Sequence, residues 1–195
     1  MYKRHVKRAL DFLAALIALI ALAVPGGLIA LAIKADSRGP VFFRQKRVGK
    51  DKTHFMILKF RTMRVDTPKD VPTHLLTDPY AFITRSGRFL RRTSLDELPQ
   101  LINILRGEMS FVGPRPALWN QFDLIARRDT AGVNALRPGL TGWAQVNGRD
   151  ELPIEVKARL DGEYAQNLSF SMDLRCVLRT LRSVFRGEGV VEGRR

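Results

Sequence analysis

A single cysteine, Cys176, in a chain of 195 residues excludes an internal disulfide framework and fits a reducing, cytosolic setting. Its helical surroundings, with no histidine nearby, point to packing instead of nucleophilic chemistry. His54 and His74 show no ligand spacing with other histidines or with the cysteine, so neither reads as a metal ligand. The glycines of 137–149 follow neither the P-loop nor the dinucleotide-binding spacing, and no internal repeat is present. Acids are scarce as well: 19 Asp and Glu stand against 33 Lys and Arg, a net charge of +14. That excess calls for an anionic partner, whether phospholipid head groups, phosphorylated substrates or nucleic acid. Basic and aromatic residues interleave at 41–48 and 55–61, as on a single-strand RNA platform. No RNA-recognition fingerprint accompanies them, and no nucleic-acid partner is expected.

Charge is missing altogether from 12–33. These 22 positions would reach about 33 Å as one helix, enough for a bilayer core of roughly 30 Å. Pro25-Gly26-Gly27 interrupts the run, so a bend is expected there, with Pro25 as the break and neither arm long enough to cross alone. Lys3, Arg4, Lys7 and Arg8 precede the segment, and Lys34, Arg38, Arg44, Lys46, Arg47 and Lys50 follow it. The positive-inside tendency draws both ends to the cytoplasmic face, and both obey it only if the segment re-enters; a straight span is the competing arrangement. A secretory signal shares the basic start and Ala21-Leu22-Ala23, but the apolar run resumes beyond that point. Asp11, costly at a membrane edge, is expected to face an arginine or lysine of its own chain.

The densest chemistry lies in 91–116, RRTSLDELPQLINILRGEMSFVGPRP. Asp96 and Glu97 open a turn that runs into Leu98, Leu101, Ile102 and Leu105, one apolar helical face. Ser94 followed by Glu97 has the form of a capping box, which would explain both acids structurally. Pro99 opposes a helix start at Ser94, because it would fall beyond the first turn, so a start near Asp96 is easier. Arg85, Arg88, Arg91 and Arg92 precede the pair, Arg106 and Arg115 follow it, and Gly113-Pro114-Arg115-Pro116 fixes one arginine on a stiff turn. Such bases suit a pyrophosphate. A carboxylate among them is expected to have a lowered pKa, leaving Asp96 ionised to attack phosphorus or hold a divalent cation.

Elsewhere, 41–48 and 55–61 read as two strands joined by a turn at 49–53, and the proline-bearing 65–79 as a loop. A helix is expected near 117–128. The stretch 137–149, ending at Arg149, mixes glycines with polar residues and a tryptophan, and reads either as a ligand loop or as a tight turn. Leu174, Val177, Leu178, Leu181 and Phe185 share one helical face opposite Arg175, Arg179, Arg182 and Arg186. That face suits either an anionic membrane or packing on the domain. Residues 187–195 are expected to be loose.

Taken together, several motifs resemble the bacterial sugar transferases that are single-domain, monotopic phosphoglycosyl transferases. They are KRALD at 7–11 before a proline-broken apolar segment, GPVFFRQ at 39–45, KFRTM at 59–63, SLDELPQL at 94–101, GPRP at 113–116 and PGLTGWAQV at 138–146. The resemblance covers nearly the whole chain. It implies an α/β, helix-rich fold: a re-entrant anchor over 1–36, then a cytosolic catalytic domain over 37–195 with a short hairpin and amphipathic interfacial helices. It further implies transfer of a sugar-1-phosphate from a UDP-sugar to undecaprenyl phosphate at the cytoplasmic face of the bacterial inner membrane, the first membrane step of polysaccharide or glycoprotein assembly. Asp96 would be the nucleophile and a ligand of Mg²⁺, with Glu97 its dyad partner. Lys59, Arg91, Arg115, Arg149, Asp161 and Asp173 would lie near the substrates, and a homo-oligomer is compatible with the pattern. The competing reading is a non-catalytic adaptor whose basic faces bind anionic lipid or polyanion; it leaves the acid pair and the Gly-Pro-Arg-Pro turn without purpose.

Overall fold

The computed structural model describes residues 2–68, 79–148 and 152–186. The uncharged run folds as α1 (Lys7–Ala21) and α2 (Ala23–Asp36), which meet at Leu22 with a 62° bend. The break therefore lies ahead of Pro25, not at it. Proline lacks the amide that would reach the Ala21 carbonyl, yet its fixed φ suits a helix's first turn, so α2 restarts just before it and Pro25 sits inside that turn. Among the described residues no single helix is long and apolar enough to cross a membrane; only the bent pair reaches that length together.

One side of this pair is buried and the other is not. Ala15 packs with Phe55, Ile57, Leu101, Ile104 and Met109, while Ile33 packs with Phe60 and Leu90. Facing away, Ile17, Ile20, Val24, Leu28 and Leu31 are 62–74% exposed, a run of large apolar side chains that a soluble surface rarely shows. Polar contacts pin α1 to the rest. Lys7 Nζ meets Asp173 Oδ2 at 2.5 Å, and Arg8 donates to the Ile104 and Leu105 carbonyls at the end of the central helix. Asp11 departs from expectation: it makes no ion pair with a described residue, and accepts instead from Ser110 Oγ (2.7 Å) and the Phe111 amide (3.1 Å).

After the bent helix pair, β1 (Phe42–Val48) and β2 (His54–Phe60) form the antiparallel hairpin, in register from Phe42 opposite Phe60 to Val48 opposite His54. Next come α3 (Pro79–Phe82), α4 (Arg85–Thr93), a 3-10 turn (Leu95–Glu97) and α5 (Gln100–Arg106). Asn103, set within the apolar face of α5, accepts from the Leu58 amide and donates to the Met56 carbonyl, tying α5 to the free edge of β2. A parallel pair unannounced by the sequence follows: β3 (Ser110–Val112) lies beside β4 (Gly139–Thr141). The helix expected near 117 starts later, as α6 (Phe122–Thr130), because the preceding stretch is engaged with β1: the Val48 amide donates to Ala117 O, and Gln121 Oε1 accepts from the Leu118 amide.

The chain closes with α7 (Ile154–Gln166) and α8 (Phe170–Arg186). α8 buries Met172, Asp173 and Cys176, and burial pushes the thiol up to about 11, in keeping with a packing role. Its other apolar stripe, with Leu174, Leu178 and Leu181 about half exposed, points out instead of packing on the domain. The Phe185 and Arg186 side chains and the tail 187–195 lie outside the described atoms.

Replacing Asp11 with alanine leaves the Phe111 amide without its acceptor and the Ser110 hydroxyl with only its longer 3.1 Å contact to Val112 O. At roughly 1–3 kcal/mol for each stranded buried group, Asp11→Ala is expected to lower the thermal unfolding midpoint by several degrees in detergent or nanodiscs.

Candidate functional site

Asp96 and Glu97 lie in the 3-10 turn, and local backbone geometry puts them there. Ser94 ends α4 in the left-handed conformation at φ 57°, a position few non-glycine residues adopt, and its side chain makes no capping bond. The capping-box explanation of the two acids is therefore not realised. Pro99 stands at the N-cap of α5, and the acids project from the turn before the helix begins.

Glu97 is the anchored member of the pair. Its Oε1 accepts from Lys59 Nζ on β2 at 2.7 Å and from Arg115 Nη2 at 3.1 Å, while Oε2 accepts nothing from the described residues. Burial alone would raise its pKa; Lys59 first and then Arg115, by charge and by direct bonds, outweigh burial and hold the carboxyl well below its usual range. Asp96 behaves oppositely. It is 9% exposed and accepts no hydrogen bond from any described residue. Burial pushes its pKa up, against the attraction of Lys59, and the adjacent Glu97 charge adds to the rise; Arg91 and Arg115 pull the other way. The lowered pKa expected for Asp96 thus belongs to Glu97, because the nearest cations point their donors at the second acid.

Arg115 is held through its own backbone. The Gly-Pro-Arg-Pro turn has two prolines without amides, and its carbonyls carry the structure instead. Pro114 O accepts from the Gly139 amide, Arg115 O from Arg128 Nη1, Pro116 O from Arg47 Nη1 and Ala117 O from the Val48 amide. A Cβ on Gly139 or Gly142 would collide with the Gly113 backbone, so only glycine lets the 138–146 loop approach this turn. The stretch offered as either ligand loop or tight turn is a backbone partner of the arginine turn.

Two cavities meet at the acid pair. One, about 510 Å³, lies along the hairpin and is lined by Arg44, Arg47, Arg61 and Arg64 together with Phe42 and Phe43. The other, about 440 Å³, runs between the acid turn, the 138–146 loop and α8, and includes Glu97, Arg115, Thr141, Gln145 and Val177. Lys59, Arg91 and Asp96 line both. Of the residues expected near a substrate, Lys59, Arg91 and Arg115 converge here, and Arg149 lies outside the described residues.

Asp161 and Asp173 line neither cavity. Asp161 is 1% exposed and takes Arg128 Nε and Nη2 at 2.9 and 2.6 Å, and this is the same arginine that holds the Arg115 carbonyl. Asp173 gathers Tyr2, Lys7 and Tyr164, whose hydroxyl also lies 3.0 Å from Val112 O. Both acids brace β3 and its turn from behind. Asn103 and Gln145 escaped the sequence reading; a lone amide inside the apolar run LINIL was the available signal for the first.

Among the described residues no group of three or more His, Cys, Asp or Glu converges as a ready metal cage. Magnesium needs no such cage, since it keeps waters and shares substrate phosphates over one or two carboxylates. Asp96 and Glu97 Oε2, neither taken up by protein donors, fit that requirement.

A buried carboxylate with no donor among the described residues, ringed by cations at the junction of two cavities, is suited to phosphoryl transfer. The chain belongs to the bacterial sugar transferase family, whose pattern matches residues 2–187. It is 39% identical over 185 residues to an uncharacterized sugar transferase, EpsL, of Bacillus subtilis, covering 95% of this chain and 90% of that one. It is 37% identical over 199 residues to the exopolysaccharide production protein ExoY of Rhizobium meliloti (94% and 87%). With the UDP-glucose:undecaprenyl-phosphate glucose-1-phosphate transferase of Escherichia coli it shares 42% over 192 residues, 94% of this chain but 40% of that longer protein.

Arg128→Met strands Asp161 as a buried charge, at a cost of roughly 3–5 kcal/mol. The expected result is a fall of on the order of 10 °C in the thermal midpoint, most of it recovered in the Arg128→Met, Asp161→Leu double variant.

Proposed function

We propose that this chain moves a sugar-1-phosphate from a UDP-sugar to undecaprenyl phosphate through a covalent Asp96 intermediate, at the cytoplasmic face of the inner membrane, as the first membrane step of exopolysaccharide or related glycoconjugate assembly. The observation that carries the reading is the state of Asp96: buried, without a donor among the described residues, beside Lys59, Arg91 and Arg115, in a chain of this family. The names of the relatives, which specify undecaprenyl phosphate, UDP-glucose and exopolysaccharide production, support the substrates.

In the first step an Asp96 oxygen attacks the sugar-bearing phosphorus, the bond to the bridging oxygen breaks, and UMP leaves with the electron pair. In the second, an oxygen of the lipid phosphate attacks the same phosphorus and returns Asp96 as a carboxylate. Lys59 and Arg115, fixed on Glu97, supply positive charge without competing for the nucleophile's lone pairs. A bound magnesium ion, held by Asp96 and Glu97 Oε2, would neutralise the phosphoryl oxygens.

The bent pair α1–α2 acts as the re-entrant anchor in this reading. Its outward apolar side chains support that role, as do the basic flanks on both ends. The outward stripe of α8 lies on the same bilayer surface and brings the site to the lipid substrate.

Asp96→Asn is expected to abolish both UMP release and any trapped phosphosugar adduct, by at least roughly 10⁴-fold. Full activity in that variant, or intersecting double-reciprocal plots in the parent, would replace the covalent route with direct transfer. Chelation with EDTA is expected to stop UMP release and added Mg²⁺ to restore it; activity indifferent to chelator removes the metal from the scheme.

A further inference from the structure

The two cavities differ in what they can bind, and the stereochemistry of displacement at phosphorus decides which ligand goes where. An in-line reaction puts the nucleophile and the leaving group on opposite sides of the phosphorus. UMP therefore departs on the side away from Asp96. The lipid phosphate, displacing Asp96 in turn, must attack from that same side. Nucleotide and lipid phosphates succeed each other in one place, and the sugar, carried on the phosphorus through both steps, needs a separate place reachable from the same carboxylate.

The hairpin cavity suits the phosphates. Arg44 there is exposed and makes no hydrogen bond or ion pair with a described residue; four further arginines line the cavity, of which Arg47, Arg61 and Arg64 already donate to Gln45 and Pro116, to Ser37 and Arg38, and to Asp66. The far corner of the other cavity suits the opposite chemistry. Thr180 Oγ1 gives its proton to the Cys176 carbonyl (2.8 Å), so in its 2.6 Å contact with Thr141 the latter is the donor, and both hydroxyl protons are used internally. Gln145 Nε2 donates to the Leu140 carbonyl at 2.9 Å, which fixes the amide's orientation, and Oε1 is buried with no donor among the described residues. That corner offers acceptors. A phosphate ester, itself an acceptor, gains nothing from it; a ligand rich in hydroxyl donors does. The loop is also held firmly: Arg179 of α8 lies over the Trp143 ring at 4.8 Å and donates to Asn147 Oδ1 at 2.9 Å, on either side of Gln145.

We propose that the cavity between the 138–146 loop and α8 seats the transferred sugar, with Gln145 Oε1 accepting one of its hydroxyl groups. The class of ligand is a neutral hexose ring. This assignment rests on the function proposed above and names the part of the site that chooses among sugars.

The test measures the first half-reaction, UMP release in single turnover, across UDP-glucose, UDP-galactose and UDP-N-acetylglucosamine. Gln145→Met keeps the length and removes the acceptor. It is expected to lower kcat/KM for the preferred donor on the order of tenfold and to narrow the discrimination among donors. Inhibition by UMP should stay within about twofold, since the nucleotide lies in the other cavity. Arg44→Ala should do the converse, weakening UMP inhibition while preserving the ranking of sugars. Thr141→Val gives a second perturbation of the same corner should Gln145→Met fold poorly. Unchanged sugar discrimination in both corner variants overturns the assignment. So does an effect confined to discharge of the adduct by undecaprenyl phosphate, which would give this cavity to the lipid. Either result leaves Asp96→Asn inactive, whereas loss of the underlying function reading shows as turnover in Asp96→Asn.

Discussion

One oxygen atom, Glu97 Oε1, joins three parts of the chain that the sequence places far apart. Lys59 reaches it from the hairpin, Arg115 from the turn after β3, and Glu97 itself from the 3-10 turn between α4 and α5. Two cations on one carboxylate leave a net positive centre, and this centre is what a pyrophosphate would meet. It also settles the division of work between neighbouring acids. Because both donors are aimed at Glu97, the charge of Asp96 is attracted from a distance but engaged by no bond, and burial without donors raises its pKa. The nucleophile proposed above would need that condition: nearby positive charge to favour its attack on an anion, and lone pairs that no described residue has claimed.

Such an arrangement works only if Arg115 cannot drift. The arginine sits between prolines that contribute no amide, and consecutive carbonyls of its turn take donors from β4, α6 and β1 while the Gly113 amide donates to Thr141 O. The Arg128 and Asp161 pair belongs to this bracing, with geometry good enough that removing either partner costs more than the pair itself contributes. Asp161, which the family resemblance puts near the substrates, instead lies one step removed, bonded to the arginine that holds the turn.

What the sequence made legible follows physical range. The hairpin falls within a residue of expectation because alternation and a turn cluster are local signals. The break at Leu22 was placed too late because proline disrupts the turn before it, not its own position. The β3 and β4 pairing was invisible: two three-residue strands, separated by a helix and two loops, carry no periodicity, and their adjacency depends on glycines whose reason lies in each other. The pKa order of the two acids was misjudged for a related reason. Counting cations near a carboxylate says how much charge is present, but only coordinates say where the donors point. The resemblance reached the right family, and within it Lys59, Arg91 and Arg115 do gather around Asp96, whereas Asp161 and Asp173 do not.

The bent helix pair and the site share walls. Asp11 of α1 holds the amide of Phe111, and Phe111 lines the cavity assigned to the sugar. Lys7 and Tyr2 close on Asp173 of α8, whose Val177, Leu181 and Val184 line that same cavity. Tyr164 ties Asp173 back to β3 just before the arginine turn. A change in how α1 lies against the domain therefore reaches the cavity from two sides, through β3 and through α8. The buried polar groups at these joints leave few alternatives, since each would be stranded by a shift of an ångström or two. Placing the acids Asp11 and Asp173 at the joints, with apolar packing between them, gives the helix pair one orientation on the catalytic core. On the proposed function, in which one substrate would arrive from water and the other from lipid, these joints would hold the Asp96 carboxylate at one position relative to α1 and α2.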